Sequence, residues 1–439
     1  MDGYGCRANN SKHKIHGNVI INILFLALMS LKAISPYYSR NMSSPVFFLF
    51  FAGWLFSACW INKWKIKIMF SSIITSSVVL LLWQVLMRLI GISSFGWGNY
   101  WFRIVLYGFP AMSFFIIKMY TYREKLFLAA VLLCVSISNI IDNIILWNTS
   151  RNSFVGLYYD SYVENRLTNA GTTEFNAFCM FLIPSLFLIA LFAEKRIVKV
   201  IGMILLLLDI YTIIFVNPHA IALLLSALLF VLLVCVYVGA KNRKRMYLTI
   251  GVSLVLMPLI YMLLPSILRT CAALIPKEEI GSKINQVASI LSGANIDESI
   301  GSSLGSRWQM ALVSIESFKE NSIFGIGEHN VGQSLNDFRN VGFGGHSELL
   351  DYLAKYGILG TIFLVIALYT WIKSVLFQAS SNRILRYISH VVWVMFIAYS
   401  FLNKSFKLEL FFSVFVIYPM VMNLILENRI TERDGNKQS

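Results

Sequence analysis

Long runs of apolar residues, most of them separated by short polar segments, dominate the pattern of the chain. These runs approach or exceed the length of about 20 residues that a helix needs to cross a bilayer. They are uniformly apolar and do not alternate, which is typical of membrane helices and not of barrel strands. Twelve membrane-spanning helices are predicted, at residues 17–35, 45–61, 68–91, 100–118, 126–146, 174–193, 197–216, 218–239, 247–265, 356–373, 384–402 and 407–426.

The longest polar connection divides the chain. Residues 1–265 hold nine predicted helices, residues 266–345 form a large loop, and residues 346–439 hold the last three helices and a tail. Within the loop, Trp308, Leu312, Ile315 and Phe318 recur at helical spacing, which predicts an amphipathic helix over 305–321. Such a helix is expected to lie on the membrane surface, on the protein, or on both.

Composition agrees with an all-α polytopic membrane protein, since 57% of the residues are hydrophobic, 13% are charged and the mean hydropathy is +0.68. The first apolar run is expected to be a retained helix, because Lys32 interrupts its end and no small-residue cleavage pattern follows. The six cysteines have neither a disulfide framework nor the spacing of metal ligands. We therefore expect no metal and no cofactor.

The positive charge lies on one predicted side of the membrane. If odd-numbered helices start in the cytoplasm, the cytoplasmic segments hold 22 of the 37 Lys and Arg and six of the 22 Asp and Glu. Their net charge is +16, which leaves −1 of the total +15 for all other residues. The positive-inside rule then places both termini in the cytoplasm. Nucleic acid is not expected as a partner, because the basic residues lie in short segments between helices and do not form a continuous patch.

Ionisable residues inside predicted helices are costly and by default indicate function. Five of them map to the outer half of their helices, namely Arg88, Arg103, Asp142, Asp209 and His219. Their common depth predicts a polar cavity that opens to the outside. The alternative is that the arginines pair with the carboxylates and hold helices together.

The run Gly344-Gly345-His346-Ser347-Glu348 precedes leucines at helical spacing, so a helix is predicted to begin near His346 or Ser347. A helix start favours a neutral imidazole and attracts anions. His346 is therefore a candidate general base for a phosphate-bearing substrate. The alternative is that it merely caps the helix. Arginines on the outer side are candidates for phosphate binding, because the planar guanidinium group can donate to two phosphate oxygens at once. Arg307 opens the amphipathic helix, and Arg166 precedes another helix.

These features together resemble the O-antigen ligase and polymerase superfamily, and within it most closely the Wzy-type polysaccharide polymerases. The specific likeness lies in Gly305-Ser306-Arg307-Trp308, Phe324-Gly325-Ile326-Gly327, Gly345-His346-Ser347-Glu348 and Gly357-Ile358-Leu359-Gly360. A weaker one lies in the run from Arg166 to Asn176. One departure is Asn217-Pro218-His219, where many relatives place an arginine. The contact that this arginine would make with the anionic substrate is therefore in doubt, or it passes to His219.

The resemblance implies a GT-C-like fold in the bacterial inner membrane, with the large loop between helices 9 and 10 in the periplasm. It implies transfer of undecaprenyl-pyrophosphate-linked oligosaccharide units without metal or nucleotide sugar. His346 would be the base, with Glu348 as a weaker catalytic candidate. Substrate-binding roles would fall to Arg307, Arg166, His219, Asn176 and Gly345. Membrane lipid, a chain-length regulator and a flippase are the expected partners.

Two other functions stay open from the sequence. An O-antigen ligase, which transfers polymer to lipid A-core, shares the donor and the motif, although the His346-Ser347-Glu348 form favours a polymerase. A lipid-linked oligosaccharide flippase or transporter would also have about twelve helices. Transporters usually show repeated halves and sites near the membrane midplane, and neither is evident here.

The charge asymmetry gives a testable topology. Reporter fusions after Ile280 and Val341 should be active only as periplasmic markers, and a fusion after Arg243 should report cytoplasm. A cytoplasmic signal from within 266–345 would contradict both the topology and the location of the proposed site.

Overall fold

The computed structural model describes residues 17–35, 42–61, 72–90, 92, 98–149, 173–216, 220–239, 303–327, 343–375 and 382–438, with a few isolated positions between 265 and 288. Within these ranges the regular structure is helical throughout, as expected for a chain that must satisfy its backbone hydrogen bonds inside lipid. The prediction of an all-α polytopic membrane protein is confirmed.

The helices are labelled α1 to α13 in chain order. Their bounds are α1 Gly17–Ile34, α2 Ser44–Ile61, α3 Ser72–Leu89, α4 Gly98–Met119, α5 Tyr122–Thr149, α6 Thr173–Phe192, α7 Arg196–Tyr211, α8 Ala220–Gly239, α9 Ser303–Glu320, α10 Glu348–Val375, α11 Arg383–Leu402, α12 Leu408–Phe412 and α13 Tyr418–Gln438. Short π-helical turns continue α7 over Thr212–Val216 and join α12 to α13 over Ser413–Ile417.

Ten of the described helical spans are long and apolar enough to cross a membrane, and the shorter apolar helix Asn18–Ile34 adds an eleventh candidate. These eleven correspond to the predicted segments other than 247–265, which lies outside the described residues apart from its last position. The amphipathic helix predicted over 305–321 is present as α9.

Two spans form the centre of the bundle. Within the membrane-length windows, 89% of the span Phe175–Phe192 and 94% of the span Leu408–Asn428 is buried, compared with 28% of Arg196–Ile214. The first two are hydrophobic on all sides because they meet protein in every direction, whereas α7 presents most of its surface to lipid. The aromatic rings of α12 pack edge to face with their neighbours, as Phe109 does with Phe412 at 5.3 Å between centroids.

A buried ion pair joins α5 to α13. The Lys125 ammonium group lies 2.7 Å from Glu427 Oε1 and donates a second hydrogen bond to Asn423 Oδ1 at 2.9 Å. Its side chain is only 2% exposed, so the carboxylate and the amide replace the water that it has lost. This contact ties the fifth helix to the central final span.

At the opposite end of the bundle, where α10 begins, that helix is broken at Gly357. The residue has φ 62° and ψ −164°, a combination available almost only to glycine. The break frees backbone groups on both of its sides. On the side before the break, the N–H groups of Ile326 and Gly327 donate to the carbonyls of Ala354 and Lys355 at 3.0 and 2.9 Å.

The same segment satisfies the other side of the break. The carbonyls of Ser322 and Ile323 accept hydrogen bonds from the N–H groups of Ile358 and Leu359 at 2.8 and 3.3 Å. Residues 321–327 therefore exchange hydrogen bonds with α10 on both sides of Gly357. The two glycine-containing motifs at 324–327 and 357–360, distant in sequence, form one backbone junction.

The side of α9 that faces the protein is not its apolar stripe. Met310, Ser314 and Ser317 are the buried positions, whereas Leu312 is 40% exposed and Phe318 is partly exposed. Small serine side chains allow the backbones of α9 and α10 to approach closely. In the described part of the stripe Leu312 is exposed and Ile315 and Phe318 are partly exposed, and contact of this side with the membrane surface stays a prediction.

Replacing Gly357 tests the junction at the break. Gly357→Ala should lower the thermal midpoint of the purified protein, because a Cβ at this position meets the carbonyl of Ile323 and the backbone conformation is strained for alanine. The strain alone costs about 1–3 kcal/mol. Thermal unfolding in detergent, followed by size-exclusion chromatography, measures the change.

Ile358→Ala is the matched control, because it shortens an exposed side chain at the next position and leaves the backbone free to keep its conformation. It should leave the midpoint within a degree or two of the wild type. Equal midpoints for Gly357→Ala and Ile358→Ala would mean that the break does not depend on glycine.

Candidate functional site

The segment before α10 fixes the position of His346. Gly345 has φ 76°, so the chain turns sharply just before the histidine. Ser347, which is 5% exposed, accepts a hydrogen bond from the N–H of Leu350 on its hydroxyl at 3.3 Å, and its carbonyl accepts from Asp351. Ser347 is therefore the N-cap, and the helix begins at Glu348.

This cap decides one of the alternatives from the sequence. The predicted helix start near His346 or Ser347 is confirmed, but the capping oxygen belongs to Ser347. His346 lies one residue outside the cap and is partly exposed. Its imidazole is thus not needed to close the helix.

One serine of α9 holds the histidine segment from one side. The Ser314 hydroxyl donates to Asp351 Oδ1 at 2.6 Å and accepts from the N–H of Gly344 at 2.9 Å. A Cβ at Gly344 would meet the carbonyl of Met310, so only glycine permits this approach to α9. Asp351 is 2% exposed, and its hydrogen bond to Ser314 joins the first turn of α10 to the turn before it.

The connection between α11 and α12 holds the start of α10 through different contacts. The N–H of Glu348 donates to the carbonyl of Asn403 at 3.3 Å, and Glu348 Oε2 accepts from the N–H of Phe406 at 3.2 Å. Asn403 is 3% exposed and donates from its side-chain amide to the hydroxyl of Tyr399 at 3.0 Å. The Glu348 carboxylate therefore anchors residues 403–406, in addition to any role with substrate.

A polar network lies below this segment, on the inner turns of α10. Arg103 donates to Gln84 Oε1 at 2.9 Å and to the hydroxyl of Tyr356 at 2.7 Å. The amide of Gln84 donates to the hydroxyls of Tyr107 and Tyr352 at 2.7 and 3.1 Å. The network connects α3 and α4 to the part of α10 that precedes its break, so the histidine rests on a rigid base.

The other intramembrane carboxylates do not line one water-filled cavity. Asp209 is fully buried in α7, whereas Asp142 is exposed on α5. A side chain without solvent exposure cannot lie in a cavity that opens to the outside. The predicted common polar cavity is therefore wrong for Asp209, whereas Arg103 does reach the base of the histidine segment.

Lysines add positive charge beside the start of α10. Lys404 is exposed on the α11–α12 connection, although protein atoms partly enclose its ammonium group. This partial burial, together with the nearby Lys407 and Lys355, lowers the pKa of Lys404, while Glu348 and Asp351 act in the opposite direction. These lysines were not singled out from the sequence, since only the folded chain brings them beside the histidine.

The structure describes the other predicted site residues to different extents. Asn176 is 1% exposed in α6, and neither polar atom of its side chain finds a hydrogen-bond partner in the described part of the chain. Arg307 belongs to α9, and its side chain is not among those described. Arg166 and His219 lie outside the described residues. Among the described positions, no group of three or more His, Cys, Asp or Glu residues gathers as metal ligands do.

Part of the chain is similar to a known protein family. Residues 206–365 match the family model described as O-antigen ligase. A comparison with the curated proteins gives no significant match. The matched region runs from the end of α7 through α9 and the break of α10, and thus contains His346 and both glycine motifs of the junction. Over residues 206–365 the chain is thus similar to the O-antigen ligase family.

Proposed function

We propose that this protein is a polysaccharide polymerase that joins undecaprenyl-pyrophosphate-linked oligosaccharide repeat units at the periplasmic face of the inner membrane. The family supports glycosyl transfer from a lipid-linked saccharide. The observation that carries the proposal is the position of His346, which lies beside a capped helix start without closing it. The hydrogen bonds of Gly344 and Ser347 fix the backbone on both sides of the histidine, which supports a role of the imidazole at this place.

The proposed reaction forms one glycosidic bond and breaks one bond between sugar and phosphate. The acceptor hydroxyl attacks the anomeric carbon of the donor, the pyrophosphate leaves with the bonding electrons, and His346 takes the hydroxyl proton. The donor already carries a good leaving group, so the enzyme must position the three reacting atoms and remove that proton. This chemistry needs neither a metal nor a nucleotide.

Positive charge would stabilise the leaving pyrophosphate as negative charge grows on it. We assign this role to Arg307 and Arg166, because the guanidinium fork fits phosphate oxygens, with His219 as a further contact. Glu348 orients the acceptor or the imidazole, and Gly345 allows close approach of the substrate. The role assigned to Asn176, contact with the sugar, requires that the substrate opens a path to its buried side chain. The capped start of α10 supports anion binding at this place.

The ligase is the second candidate, and the description of the matching family favours it directly. It would use the same base and the same donor, but lipid A-core as acceptor. A flippase is the third and weakest candidate, because the contacts around His346 fix a single local arrangement. The inner-membrane location, the cytoplasmic termini and the association with a chain-length regulator are parts of the same proposal.

Deletion in the native strain separates the first two functions. Loss of a polymerase should leave lipid A-core that carries a single repeat unit, because a ligase still transfers the unpolymerised unit. Loss of a ligase should leave bare core and polymer on the lipid carrier. Electrophoresis and mass spectrometry of the glycolipids read out the difference, with the complemented strain as the control.

Replacement of His346 tests the base. His346→Ala should lower polymer formation by about 10²- to 10⁴-fold, the usual contribution of a general base. Wild-type activity should fall as the pH is lowered through the range in which imidazoles titrate, because only the neutral ring accepts a proton. A reconstituted assay with lipid-linked repeat units measures both effects.

His346→Gln is the sharper variant, since it keeps hydrogen bonding without basicity. It should be as inactive as His346→Ala while it keeps the wild-type thermal midpoint and donor binding. Near-normal turnover of His346→Gln with an unchanged pH profile would make His346 an orienting residue, and the base would have to be sought at Glu348 or His219.

A further inference from the structure

The connection between α11 and α12 carries two lysines in five residues. Residues 403–407 read Asn-Lys-Ser-Phe-Lys, and they cross the end of the bundle where α10 begins. Asn403 and Ser405 are buried, and Lys404 between them is exposed. Lys404 therefore lies at the surface beside the start of α10, with its ammonium group partly enclosed by protein atoms.

The backbone of this connection is held firmly. The N–H of Asn403 donates to the carbonyl of Tyr399 at 2.7 Å, and its side-chain oxygen accepts from the N–H of Lys404 at 3.1 Å. The hydrogen bonds from Glu348 to Asn403 and from Phe406 to Glu348 fix it against α10. The lysines are thus carried on a preorganised support, which lowers the entropic cost of binding a ligand.

Lys355 brings a third ammonium group to the same neighbourhood. Its Nζ lies 4.2 Å from the centroid of the Phe343 ring, three residues before His346. Burial is the main cause of the lowered pKa of Lys404, and the charges of Lys407 and Lys355 add to it. Glu348 and Asp351 offset part of this positive charge, while Glu348 also accepts from the N–H of Phe406 and Asp351 from the hydroxyl of Ser314.

Partial burial and the two neighbouring lysines disfavour the charged form of Lys404 more than Glu348 and Asp351 favour it, and a bound anion would stabilise that form. A pyrophosphate diester fits the requirement, because it carries two negative charges at neutral pH and several exposed acceptor oxygens. Lysine binds phosphate as a mobile point charge and needs no fixed planar geometry. Such a site suits an anion that stays intact during the reaction.

The proposed polymerisation uses two lipid pyrophosphates at once, one on the donor and one on the acceptor. The arginine assigned to the donor, Arg307, belongs to α9, which holds α10 through Ser314. The lysines at 404 and 407 belong to the α11–α12 connection, which holds α10 through Glu348. The lysines thus lie on a different element from the one that carries Arg307.

We propose that Lys404 and Lys407, with Lys355, form a second anion site that binds the pyrophosphate of the acceptor lipid. The inference rests on the proposed function, because it names where the second substrate of that reaction binds. The acceptor keeps its pyrophosphate through the reaction, so the site has to hold this group and not to stabilise its departure.

The number of bound lipids tests this inference. Native mass spectrometry of the full-length protein, titrated with undecaprenyl pyrophosphate, should find two copies on the wild type. The double variant Lys404→Gln/Lys407→Gln should bind one copy, with the affinity for the second lowered by about tenfold or more. Lys404→Arg/Lys407→Arg, which keeps both charges, should bind two.

Lys373→Gln is the matched control, because Lys373 lies in the last turn of α10, at the far end of that helix, and should leave two copies bound. Arg307→Ala should also bind one copy, because it loses the lipid from the donor site and keeps the one at the lysines. Thermal midpoints equal to that of the wild type would show that the lysine variants fold normally.

The outcomes separate the inference from the function. A lysine double variant that binds two copies overturns the lysine site, as does a wild type that binds only one copy, and in both cases the polymerase proposal stands. A wild type that binds none overturns the proposed function. If excess phosphatidylglycerol displaces the lysine-dependent copy completely, the lysines hold ordinary anionic phospholipid and the acceptor site is wrong.

Discussion

The arrangement of the site depends on an exchange of backbone hydrogen bonds across the break at Gly357. A break in a helix within or near lipid frees carbonyl and N–H groups that water cannot satisfy, at a cost of several kcal/mol for each group. Residues 322–327 supply both donors and acceptors to these groups, so the end of α9 and the start of α10 form one unit. The break thus becomes a fixed feature of the site, and the segment that carries His346 is held in one position.

Small residues allow the turn before α10 to pack closely against α9. Gly344 and Ser314 bring the turn before α10 against α9, and the same serine binds Asp351. Larger side chains would separate the two helices and withdraw the histidine from the elements around it. Below this contact, Arg103 and Gln84 support the tyrosines of α10 from α3 and α4. The histidine is therefore positioned by contacts with side chains of four helices.

The charge around this position suits a reaction between two anionic lipids. Guanidinium groups can stabilise a leaving pyrophosphate, whereas ammonium groups on the α11–α12 connection can hold one that stays. A polymerase and a ligase would share the donor side of such a site and differ in the acceptor side.

The sequence by itself determined the membrane-spanning helices, because the bilayer requires about 20 apolar residues in each. It also determined the start of α10 and the bounds of α9, since caps and periodicity are local signals. Only the tertiary structure decided which side of α9 is buried, because close backbone approach selects Ser314 and Ser317 over the apolar stripe. It alone placed Lys404 beside His346 and paired the two glycine motifs. Contacts between distant segments depend on how helices pack, and the residue pattern of one helix does not show which other helix packs against it.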